Sequence, residues 1–133
     1  MKIEFNIKVD EPTSNKTIYP KEVIKKAFDE KLNNTFPITL DHVTTGHNNA
    51  TIVSFKDICG TVENYKINND NSIVSEIITY ENPHGKLLKE ILDTNKFKSL
   101  KFQINGIGII KNGVVEEYKI ISTSIDKRTL KSE

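Results

Sequence analysis

The chain has 133 residues, with 19 lysines and arginines against 18 aspartates and glutamates, for a formal net charge of +1 at neutral pH. That length supports one hydrophobic core, hence a single domain over residues 1–133, and the near-cancelled charge gives no electrostatic ground for a nucleic-acid or anionic-membrane partner. No apolar run approaches the ~20 residues that span a bilayer, and Met1-Lys2-Ile3-Glu4 is not a signal core, so a soluble, cytoplasmic, non-secreted protein is expected.

In chain order, Ile3, Phe5, Ile7 and Val9 alternate with polar residues, the period of a half-buried strand. After a polar loop holding Pro12, Pro20 suits a first helical turn, and Val23, Ile24, Ala27, Phe28 and Leu32 fall on one stripe. This predicts a helix from about Tyr19 to Leu32. Ile38-Thr39-Leu40 reads as a short strand leading to His42. Further strands are expected over Ile52–Phe55, Ile58–Ile67 and Ile73–Tyr80, the last two forming a hairpin about the turn residues Asn68 to Asn71.

A second helix opens near Pro83, with Leu87, Leu88, Ile91 and Leu92 as its stripe. Then comes a β-branched strand, Leu100 to Ile110, interrupted by Gly106 and Gly108, which mark a bulge that curves the strand or a close backbone approach. Asn112-Gly113 fits the two positive φ angles of a type I′ turn, so Val114 to Ser124 should fold back on that strand. The charged end, Lys127 to Glu133, is expected to fray. The pattern indicates an α+β domain: a mostly antiparallel curved sheet or small β-barrel flanked by two main helices.

Candidate chemistry is sparse. Cys59, the only cysteine, sits between Ile58 and Gly60 and reads as a buried small hydrophobe, and a lone cysteine excludes an intrachain disulfide. His42, His47, Cys59 and His84 lack the paired short spacings of a structural zinc site, so no metal is expected. No phosphate-cradling glycine loop is present and no cofactor is expected. Ser122 and Ser124 alternate with Ile121 and Ile125 and read as ordinary outward-facing residues.

The order of Asn15-Lys16-Thr17-Ile18-Tyr19-Pro20 at a helix start, Asp41-His42 after an early strand, the Pro83 helix, and Phe102-Gln103-Ile104-Asn105-Gly106-Ile107-Gly108 resembles the capsid maturation (prohead) proteases of tailed bacteriophages. Those enzymes share their fold with the herpesvirus assembly protease. The likeness runs from about Asn15 to about Asp126. It implies His42 as the general base and Gly106 and Gly108 as part of an oxyanion-binding backbone, on a strand lying beside the one that ends at His42. Anchored on the two glycines, the family's serine falls on Gln103 and its arginine on Asn105. A glutamine amide is neither nucleophile nor base.

The resemblance therefore implies a phage capsid-assembly protein that keeps the fold and has lost the nucleophile. In it Gln103, Asn105, Gly106 and His42 would line a vestigial groove for segments of scaffold or capsid protein. Self-association, as a homo-oligomer, fits the same family. The expected setting is the host cytoplasm or the assembling prohead. The alternative is an active prohead serine endopeptidase with His42 as base, Ser99 as nucleophile, and a third member among Glu116, Glu117 and Asp126. The family enzymes also carry a C-terminal segment linked to scaffold incorporation, which would lie beyond the last strand here.

Overall fold

The structure is a computed structural model and describes residues 1–40, 57–94 and 99–129. Its elements are strand β1 (Lys2–Lys8), helix α1 (Lys21–Leu32), β2 (Pro37–Thr39), β3 (Ile58–Val62), β4 (Lys66–Ile67), β5 (Ser72–Thr79), helix α2 (Pro83–Asp93), β6 (Phe102–Lys111) and β7 (Val114–Ile125), followed by a single 3-10 turn, Lys127–Thr129. The strand expected over Ile52–Phe55 lies outside the described residues, and Ile58–Ile67 divides into β3 and β4.

The strands run in the order β1-β6-β7-β2-β3-β5, and β5 pairs again with β1, so these six close on themselves as a barrel. Strand β4 extends from β5 beside this circuit. The β1–β5, β2–β3, β3–β5 and β6–β7 contacts are antiparallel. The β1–β6 and β2–β7 contacts are parallel. The expected barrel is therefore present, but mixed: β1 and β2 lie beside strands near the other end of the chain, where no short hairpin can set antiparallel direction.

Closure gives every strand of the circuit a buried side. Phe5, Phe36, Ile38, Ile73, Phe102 and Ile120 form the core with Ile24, Ala27 and Phe28 of α1. Phe28 is its hub, edge-on to Phe5 at 5.5 Å and stacked on Tyr65 at 4.8 Å. At about 25 cal/mol per Å², each such buried aromatic or aliphatic side chain contributes roughly 1.5–3 kcal/mol.

Both helices start on local signals. Pro20 is the residue before α1 rather than its first turn, extended at φ −61° and ψ 143°, and it offers no capping side chain. Asp10, in the left-handed region at φ 61°, substitutes by accepting from the Lys21 N–H at 2.8 Å. Asn82 caps α2 through its Oδ1, which accepts from the Gly85 N–H at 2.7 Å, and its amide donates to the Ile58 carbonyl at 3.0 Å, tying the helix to β3. In the α2 stripe Leu88 is fully buried and Leu87 is exposed, and the helix packs on β3 and β5.

Candidate functional site: a cleft where β1 and β6 part

Strands β1 and β6 pair in parallel only at Phe5 and Phe102. Beyond that point a cleft of about 530 Å³ opens between Asn6–Lys8 of β1, with the loop that follows, and Gln103, Ile104 and Asn105 of β6. Tyr19, Tyr118 and Arg128 complete its walls. Gln103 and Asn105 are on its β6 wall.

Their side chains are tied together. Gln103 Nε2 donates to Asn105 Oδ1 at 3.1 Å, and Asn105 Nδ2 donates to the hydroxyls of Ser122 at 3.1 Å and Ser124 at 3.2 Å. On the backbone, Thr123 Oγ1 donates to the Gln103 carbonyl at 2.7 Å. Ser122, Thr123 and Ser124 are fully buried, so the outward-facing reading of Ser122 and Ser124 is overturned. The reason is tertiary: the side chain of Asn105, itself buried, lies against both hydroxyls, and alternation in sequence reports exposure only where one face of a strand meets water.

Chemically this is a satisfied amide–hydroxyl network, in which Asn105 occupies both serine oxygens as acceptors. A serine hydroxyl needs a base to become a useful nucleophile. Among the described residues, no imidazole or carboxylate bonds to either hydroxyl.

Gly106 and Gly108 belong to one continuous strand with bulged pairing on either side of them. The register with β7 slips twice, between Asn105 and Gly106 and between Ile109 and Ile110, and each time the extra residue, Ile121 or Glu116, is on β7. Among the described residues the only glycine with positive φ is Gly113, which with Asn112 (φ 54°) makes the expected I′ turn. What requires a glycine at 106 is the Tyr118 ring: a Cβ there would stand 2.7 Å from it and 2.5 Å from the Lys119 carbonyl oxygen. Tyr118 also meets Tyr19 edge-on at 5.5 Å, and burial pushes its phenol pKa up.

The other candidate residues are dispersed. Ser99 lies in an exposed turn ahead of β6, not on the strand face of Gln103. Glu116 and Glu117 are exposed on the distal part of β7. Asp126 is buried and already committed: its carboxylate accepts from Arg128 Nε and Nη2, both at 2.9 Å, and from Asn6 Nδ2 at 2.9 Å. The Arg128 hydrogen bond, aided by Asn6, holds its pKa down at about 2. This Asn6–Asp126–Arg128 cluster, at the edge of the cleft, escaped the sequence reading because Asn6 is 120 residues from Asp126 in the chain. Cys59 is buried as expected, its thiol donating to the Ile38 carbonyl at 3.2 Å and pushed up to about 12 by burial.

His42 lies outside the described residues, as does His47. The strand leading to His42, β2, is paired with β7 and β3, so β7 stands between it and β6. The expectation that the Gly106 strand runs beside it is not met.

No protein-family model matches the sequence, and no curated protein matches it. Among solved structures, the chain is similar to the bacteriophage T4 capsid assembly protease, gp21, with a TM-score of 0.69 at 18% identity, over 93% of this chain and 79% of that one. The likeness at this identity is one of fold: the barrel with its helices resembles that of the T4 protease.

Proposed function

We propose that this protein acts in bacteriophage capsid assembly by holding an extended segment of a scaffold or capsid protein in the β1–β6 cleft, without cleaving it. The observation that carries the reading is the Gln103–Asn105–Ser122–Ser124 network. Amides occupy the wall where the resemblance calls for a serine and an arginine, on a fold like that of a capsid assembly protease. A parted pair of strands suits an extended guest, whose main chain can bond to a strand edge while its side chains sample the polar walls. The same reading puts the protein in the assembling prohead.

The test uses the full chain with peptides tiled from the scaffold and major capsid proteins of the phage that encodes it. Titration calorimetry should find a binding peptide, and Asn105→Leu, which removes the network donors, should weaken it by about tenfold or more. Incubation with the same proteins should give no cleavage, and a fluorophosphonate probe should leave the serines unlabelled. Labelling that disappears in Ser99→Ala would establish the endopeptidase alternative. No binding by any peptide would remove the cleft from the account.

A further inference from the structure

The distal half of β6 shows an open edge. Asp126 N–H donates to the Lys101 carbonyl, which fixes Lys101, and by alternation Gln103, Asn105, Ile107 and Ile109, as the residues bonded to β7. The I′ turn after Lys111 keeps the same parity. The N–H and C=O groups of Gly106, Gly108 and Ile110 therefore point away from β7, and among the described residues no strand pairs with them. The side chains here are apolar yet bare: Ile107, Ile109 and Ile110 are 53%, 55% and 56% exposed. Soluble proteins protect such an edge with a proline, an inward charge or a covering element. Gly106 to Ile110 has no proline and no charge.

The edge is complementary to itself. About a two-fold axis at Gly108, an antiparallel second copy sets Gly108 against Gly108 and Gly106 against Ile110, so every outward backbone group meets a partner. Ile107 then faces Ile109 of the other copy in a non-hydrogen-bonded pair, the kind in which side chains approach most closely. Ile107 is paired within the chain with Lys119, and Ile109 with Glu117. Each row across the joined sheet thus reads Lys119, Ile107, then Ile109 and Glu117 of the other copy, with apolar residues in the middle and charges at the solvated rims. No like charges are opposed, since Lys111 falls opposite Asn105.

We infer that this protein forms a two-fold homodimer by antiparallel pairing of the β6 edges about Gly108. The interface is isologous and closes, which leaves no exposed strand edge at either end of β6 to propagate further.

The experiment is sedimentation equilibrium on the full chain with three variants. Wild type should be a reversible dimer. Ile107→Lys should raise the dimer Kd by about tenfold or more by burying a charge against Ile109. The double variant Ile107→Lys/Ile109→Glu, in which the register opposes Lys to Glu in both rows, should recover most of that loss. Mixing Ile107→Lys with Ile109→Glu should give a heterodimer in preference to either homodimer. Both positions are exposed, so circular dichroism should show unchanged folds. A wild type that stays monomeric at the highest soluble concentration overturns the proposal, as does a dimer indifferent to Ile107→Lys or one that the double variant fails to restore.

Discussion

At the scale of residues, Asp126 is the best-defined electrostatic feature. Its folded pKa of about 2 lies below the ~3.9 of an unfolded aspartate, so its contribution to stability is complete above about pH 4 and is lost as pH falls through 2. Asp126→Asn should cost about 1.5–3 kcal/mol at pH 7, the range for hydrogen bonds to a charged group. Urea unfolding followed at descending pH should show that gap narrowing between about pH 4 and 2; a gap of constant size would mean that the charge is not what matters. Gly106 makes a steric prediction. Gly106→Ala must displace the Tyr118 ring and the Lys119 backbone, and should destabilise by roughly 1–3 kcal/mol, against a few tenths for an ordinary exposed strand site. Pairing it with Tyr118→Ala in a double-mutant cycle should remove part of the cost, because the ring is one of the two obstacles.

At the scale of elements, α2 hangs on Asn82. One side chain satisfies an orphan helix N–H and binds β3, so Asn82→Ala should cost about 1–2 kcal/mol, and Asn82→Asp, which keeps the cap acceptor and loses the donor to the Ile58 carbonyl, should cost less. Urea midpoints for the two variants decide this; equal losses would show that the tie to β3 outweighs the cap. Strand β6 combines two roles. Its proximal end, Gln103 to Asn105, is held by a buried network, while its distal end is an exposed apolar ribbon. The two ends serve different surfaces, the cleft and the open edge, so substitutions at Ile107 should leave peptide binding in the cleft intact.

At the scale of the whole molecule, closure of the barrel joins β1 to β5 and to β6, strands far from it in the chain. Loop-closure entropy must be met before those contacts form, so refolding after denaturant dilution should fall in the millisecond-to-second range of non-local β topologies, measurable by stopped-flow tyrosine fluorescence. Phe28 connects α1 to the barrel interior and is fully buried. Phe28→Ala should cost about 3–5 kcal/mol, a large share of the stability of a domain this size.

The sequence by itself determined the order of elements, the two helices, the Asn112-Gly113 turn, the buried role of Cys59 and the resemblance that led to a capsid assembly protease fold. Each of these depends on neighbours in the chain: a hydrophobic period, a dipeptide's φ preference, a short motif. Only the tertiary structure decided that the sheet closes and mixes parallel with antiparallel pairs, since direction between strands far apart in sequence leaves no local mark. It alone buried Ser122 and Ser124, where alternation pointed outward, because the Asn105 side chain of the neighbouring strand lies against both hydroxyls. It assembled Asn6, Asp126 and Arg128 from opposite ends of the chain. It added a reason for Gly106, room for the Tyr118 ring on the neighbouring strand, a cause that lies in another residue and so cannot be read at the glycine itself.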